Sequence, residues 1–158
     1  DLCLHDEECI LELQLRTLLE HLGNWETILI RYKFRIFRLE LLKLYPALLS
    51  LNLFLRWMIR QDAVDPGGWT MIPPSKLVIP LDTHTIRLGK CLRLTRRATP
   101  GWKMAVDITR ALRQFDPVDP VRYDFSLCHI GMMGACGYGT TRRDDQCPLK
   151  PHCHPKRR

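Results

Sequence analysis

The chain has 158 residues, 46% of them hydrophobic and 26% charged, with a formal net charge of +7 and a pI near 9.2. That length buries one core, and that composition excludes wholesale disorder. The longest apolar stretch, residues 47–55, is broken by Ser50 and Asn52 and falls far short of a bilayer span, so no membrane partner is expected. The positive charge favours an anionic partner, of which nucleic acid is the commonest. Seven cysteines and no stretch resembling a secretory signal point to a reducing cytoplasm with free or metal-bound thiols rather than a disulfide framework. A start at Asp1 without methionine reads as a helical domain incomplete at its N-terminal end.

In chain order the periodicity is helical. Residues 9–22 carry the 3–4 spacing of an amphipathic helix that Gly23-Asn24 stops. Residues 25–44 place Ile28, Tyr32, Ile36 and Leu39 on one helical stripe, although their β-branched and aromatic content leaves a strand open for 28–37. Residues 47–60, ALLSLNLFLRWMIR, are apolar on most faces and predict a buried helix. A loop full of breakers follows, with Pro66-Gly67-Gly68 and Pro73-Pro74.

Asp82 has the residue type of an N-cap for a helix over 83–94, and Pro100 opens another that runs to about 115. Asp119 is expected to cap a last helix over 120–133 with Pro120 at its first position. The fold class is all-α: a helical domain over 1–133 followed by an irregular, cysteine-rich, basic segment over 134–158.

The charge pattern singles out Asp82. From residue 83 to 106 there is no acid, while Arg87, Lys90, Arg93, Arg96, Arg97 and Lys103 are basic. Asp82 is either only a cap or an isolated carboxylate facing a polyanion. Between residues 142 and 158 six basic residues, Arg142 and Arg143 among them, face two acids. Trp57, Trp69 and Trp102 read as core or loop anchors, and His84 as a local hydrogen-bonding residue.

The stretch PLDTHTIRLGKCLRL resembles the segment of helix-hairpin-helix DNA glycosylases, the endonuclease III-like superfamily, in which an Asp begins a helix. Downstream, ITRALRQFDP, LCHIGMMGAC and a cysteine tail follow in the same order. Over residues 50–153, the series LNLFLRWMIR, VDPGGW, PLDTH, RLT and FDPVDPVRYDFSLCHIG is similar to an uncharacterised bacterial family within that superfamily. The resemblance implies a helical fold of the glycosylase type, double-stranded DNA as the partner and a monomer in the cytoplasm.

It also implies DNA repair by base excision, with Asp82 opposing the positive charge that develops on the sugar as an extruded base departs. Arg87, Lys90, Arg93, Arg96, Arg97, Arg142 and Arg143 would then hold the DNA. YPALLSLNLFLRW, where the superfamily's hairpin would stand, carries neither the Gly-x-Gly turn nor the Schiff-base lysine. The expected activity is therefore a DNA N-glycosylase without β-lyase chemistry. The alternative is a non-catalytic nucleic-acid-binding module on the same scaffold. A metal-stabilised protein-interaction domain fits the charge less well.

Endonuclease III-like enzymes hold a [4Fe–4S] cluster with C-x6-C-x2-C-x5-C after the last helix. Here the resemblance implies Cys136, Cys147 and Cys153 as ligands, the last two with the x5 spacing. Asp144 stands where a fourth thiolate would be. Three thiolates with Asp144, His152 or His154 can hold a cluster or Zn²⁺. Free thiols left from a degenerate site are the other reading. Cys128, on the preceding helix, is expected to face the core.

Overall fold

The computed structural model describes residues 45–133, 136, 138 and 147–154. The helices expected over 9–22 and 25–44, with the strand alternative over 28–37, lie outside the described residues. Among the described residues there are four α-helices: α1 (Tyr45–Ile59), α2 (Thr83–Cys91), α3 (Trp102–Arg113) and α4 (Asp124–Met132). Three 3-10 turns, Pro74–Lys76, Pro120–Tyr123 and Lys150–His152, complete the order. Among the described residues there is no strand, only one isolated bridge between Gln61 and Pro66, so the chain is all-α there. No helix among them is long and apolar enough to cross a membrane.

The core forms around the apolar ledge that precedes Asp82. Val78, Ile79 and Leu81 are buried against Leu88 of α2, the inner face of α3 from Trp102 to Leu112, and Leu127 of α4. Among the described residues this extended segment has no strand partner for its backbone. Side chains replace the ladder: the Ile79 N–H donates to Thr109 Oγ1 at 3.0 Å, and that hydroxyl donates to the Ala105 carbonyl at 2.8 Å. A second cluster, Leu55, Ile59, Ile72, Leu77 and Val121, joins α1 to the loop and to the turn before α4.

Helix α1 departs from the expected apolar cylinder. It exposes Phe54 and Trp57 and buries Asn52 and Arg56, and Arg60, the residue after it, is buried too. The buried guanidiniums are tolerated because acids surround them. Arg56 donates to Asp65 through Nε at 3.1 Å and Nη2 at 2.8 Å, and to Asp124 through Nη1. Arg60 pairs with Asp65, Asp62 and Asp119. This network ties α1 to the loop after it and to α4, and it explains a correction. Asp119 does not cap the last helix, because its carboxylate oxygens both accept from Arg60 Nε, at 3.1 and 2.9 Å. A 3-10 turn takes the first positions instead, and α4 starts at Asp124.

Two other boundaries differ from expectation. Residues 100 and 101 precede α3 rather than forming its first turn. Helix α2 ends at Cys91, not at 94, because Arg93 turns left-handed at φ 55°. The Leu94 N–H returns to the Gly89 carbonyl at 2.8 Å and the Arg93 N–H to Lys90 at 3.2 Å, the paired bonds of a Schellman terminus. Glycine usually fills such a position, and an arginine there carries no stop signal.

Candidate functional site

The start of α2 is built by contact with α4. Asp82 is extended at φ −89°, and its Oδ1 accepts the Thr85 N–H at 2.6 Å, as an N-cap does. Along α4, Asp124, Cys128 and Gly131 recur at 4 and 3 residues and so share one face. That face meets α2. Gly131 lets the helices approach, since a Cβ there would lie 2.5 Å from the His84 Cβ and 2.7 Å from its Nδ1. The approach places Cys128 Sγ 3.0 Å from Asp82 Oδ2, with the thiol donating. It also sets Thr85 Oγ1 3.4 Å from Asp124 Oδ1, a long contact.

Both oxygens of Asp82 therefore have partners, from two helices. Its half-buried position works against the charge, but the Cys128 and Thr85 hydrogen bonds outweigh burial and hold the carboxyl below its ordinary value. Asp124 behaves oppositely. Burial, opposed by Arg56 and reinforced by the charge of Asp82, pushes it up to about 6. Burial and Asp82 push the Cys128 thiol up to about 12, so it stays protonated. The site thus contains an ionised acid, a second acid that titrates near neutrality and a neutral thiol. His84 Nδ1 is buried without a hydrogen-bond partner among the described residues.

Cys128 corrects an expectation: it faces Asp82 rather than an apolar core. Asp124 and Arg56 were missed as well. A carboxylate and a thiol four residues apart, followed by a glycine three further on, was the available signal.

The basic residues do not gather around Asp82. Arg87 lies one turn into α2, while Lys90 lies at its far end, about 12 Å along the axis from Asp82 at 1.5 Å per residue, and Arg93, Arg96 and Arg97 lie in the loop beyond. Lys90 Nζ donates to the Ala98 carbonyl at 2.7 Å, and Arg97 Nε to Asp107 at 2.8 Å. These contacts brace the loop. Arg87, Arg93 and Arg96 have no ion pair among the described residues, and the latter two are exposed. Arg142 and Arg143 lie outside the described residues.

The cysteines form no metal centre among the described residues, where no group of three or more His, Cys, Asp or Glu side chains is placed to hold an ion. Cys153, expected as a ligand, is bonded to Cys91 at the end of α2. A disulfide sulfur is not a thiolate donor. Cys136 and Cys147 are free and buried, Cys136 within the main core. These residues do not fit a [4Fe–4S] cluster or Zn²⁺ in this form. The disulfide gives the end of the tail a covalent anchor on α2, next to the His154 N–H bond to the Cys91 carbonyl at 2.8 Å. Reduction by a dithiol is expected to expose two more alkylatable thiols and to speed hydrogen exchange at the His154 amide. Unchanged exchange after full reduction would show the tail held by packing alone.

Residues 18–133 match the model of a family described as a protein of unknown function (DUF2400). The chain belongs to that family. The match contains all four helices and the α2–α4 contact, and it ends at the residue that follows α4. The anchored tail therefore lies outside the DUF2400 region, and Asp82, Cys128 and Asp124 lie inside it. No curated protein and no solved structure matches the chain.

Proposed function

We propose that this DUF2400 protein binds double-stranded DNA and is a base-excision glycosylase of the helix-hairpin-helix type, acting without β-lyase chemistry. The observation that carries the proposal is Asp82: a carboxylate held ionised at a helix start, with no other acid in the 24 residues after it and six basic residues among them. Charge of this kind suits a cationic sugar, because a fixed negative group opposes the positive charge that grows as the base leaves. Arg87, Arg93 and Arg96, together with the tail, supply phosphate contacts, and the separation along α2 spreads them over the backbone rather than at the scissile bond. The lysine needed for a Schiff base has no counterpart, so water is the attacking group.

A second reading keeps the DNA and drops the chemistry. It is favoured by the bond from the Thr85 N–H to Asp82 Oδ1, which caps α2 whether or not a substrate comes.

The two are separated by salt titration together with base release. Contact with about six phosphates predicts a slope of log K against log[salt] near −5 for duplex DNA. A flat response, or no binding in dilute buffer, would remove nucleic acid as the partner. Release of oxidised, alkylated or deaminated bases from labelled duplexes supports the glycosylase; steep binding with no release across the panel leaves the binding module.

A further inference from the structure

We propose that Cys128 is a positioning residue for Asp82, its S–H fixing the Oδ2 oxygen so that the carboxylate presents one orientation to a ligand at the start of α2. This rests on the reading of Asp82 as the working carboxylate and deepens it. Asp82 belongs to α2 and Cys128 to α4, 46 residues apart in sequence. The Thr85 N–H alone would leave the carboxylate free to turn about its last torsion. A second donor on the other oxygen, from a different helix, removes that freedom.

The surroundings distinguish this thiol from the others. Cys136 and Cys147 are buried, and Cys136 packs within the apolar core. Cys128 is half-buried and directed at a carboxylate, one turn from Asp124 and one turn from Gly131, whose missing side chain lets α4 come close. A protonated thiol beside an acid is a poor nucleophile and a poor metal ligand, since both roles need the thiolate. Donation of S–H is the chemistry left to it. The groups facing Asp82 are His84 and Thr85 from its own helix, and Cys128 and Asp124 from α4, with Arg56 of α1 behind Asp124. Arg56 compensates Asp124, so Cys128 and Thr85 are the donors in direct contact with Asp82.

The test titrates the Asp82 carboxyl by carbon NMR in the full chain and in Cys128→Ala, Cys128→Val and Cys128→Ser. The expected result is an upward shift of the Asp82 midpoint in the alanine and valine variants and little shift in the serine variant, which keeps a donor. On a released base, alanine should lower kcat about tenfold, as loss of one hydrogen bond to a charged group does, with KM held, and serine should restore it. An Asp82 midpoint identical in wild type, Cys128→Ala and Cys128→Val would overturn the proposal.

The reciprocal measurement does not depend on those variants folding. In Asp82→Asn the neighbouring charge is gone, so alkylation of Cys128, located by mass spectrometry, should quicken at high pH; an unchanged rate would also sink the link. If wild type releases no base, the catalytic reading of Asp82 fails by itself, and the titration still decides whether Cys128 holds the carboxylate.

Discussion

Arg56→Met is expected to destabilise the fold by about 3–5 kcal/mol, the scale seen when one partner of a buried ion pair is removed. Arg56 is 5% exposed, and it stands between Asp65, fully buried, and Asp124, 4% exposed. Methionine keeps the unbranched apolar stem and is shorter only by the guanidinium end, so the loss reports chiefly the charge and its hydrogen bonds. Asp65 keeps Arg60. Among the described residues Asp124 then keeps the long contact to Thr85, which cannot compensate a carboxylate out of water.

The pH dependence has a definite sign. Asp124 in the folded protein already titrates at about 6, above the ordinary value near 4, chiefly because it is buried. The folded state therefore binds the proton more readily than the unfolded one, and stability falls as pH rises between these values. Removing Arg56 removes the opposing influence and raises the folded value further. The variant's deficit should be largest at neutral pH and shrink toward pH 5. Urea melts of wild type and variant at pH 7 and pH 5 check this, and an equal deficit at both would show that Asp124 is not the stranded group. Replacing Asp124 by leucine in the same variant should recover part of the loss.

What the sequence revealed and what it hid divide along contact distance. The helical runs among the described residues, the breaker-rich loop and the cap type of Asp82 are local patterns, and apart from the helix boundaries each sits where expected. Arg93 defeated the end of α2 because a left-handed terminus without glycine leaves no composition signal. The Arg56 network joins residues 9 and 68 apart in sequence, the Cys91–Cys153 bond residues 62 apart, and the Cys128–Asp82 bond residues 46 apart. Periodicity carries no information at such separations. The helix α1 is where the pattern puts it, but which of its side chains face inward differs, because the rule that apolar residues face inward gives way when acids from other segments neutralise an arginine. The resemblance implied Cys153 as a metal ligand alongside Cys136 and Cys147 of the tail, whereas its partner is Cys91 of a helix.

Asp82→Asn is expected to cost base release a factor of about a hundred or more while leaving the fold almost intact. The magnitude is that of removing one group aimed at charge developing in a transition state. Asparagine is as good a cap as aspartate, and its side-chain oxygen still accepts from the Thr85 N–H, so stability should move by only a few tenths of a kcal/mol at neutral pH. What disappears is the charge, and with it the acid-side dependence it brings. Burial raises the carboxyl and the Cys128 and Thr85 bonds lower it, with a net value below the ordinary one. Its stability contribution is therefore complete above pH 4 or so and is lost as pH falls through the folded value, a loss the asparagine variant should lack. Affinity for duplex DNA should hold or rise, since a negative group near phosphate is gone. Parallel measurement of melting, binding and release on one preparation separates the readings: loss of release alone supports the glycosylase, whereas release equal to wild type would leave Asp82 a helix cap and move the chemistry elsewhere.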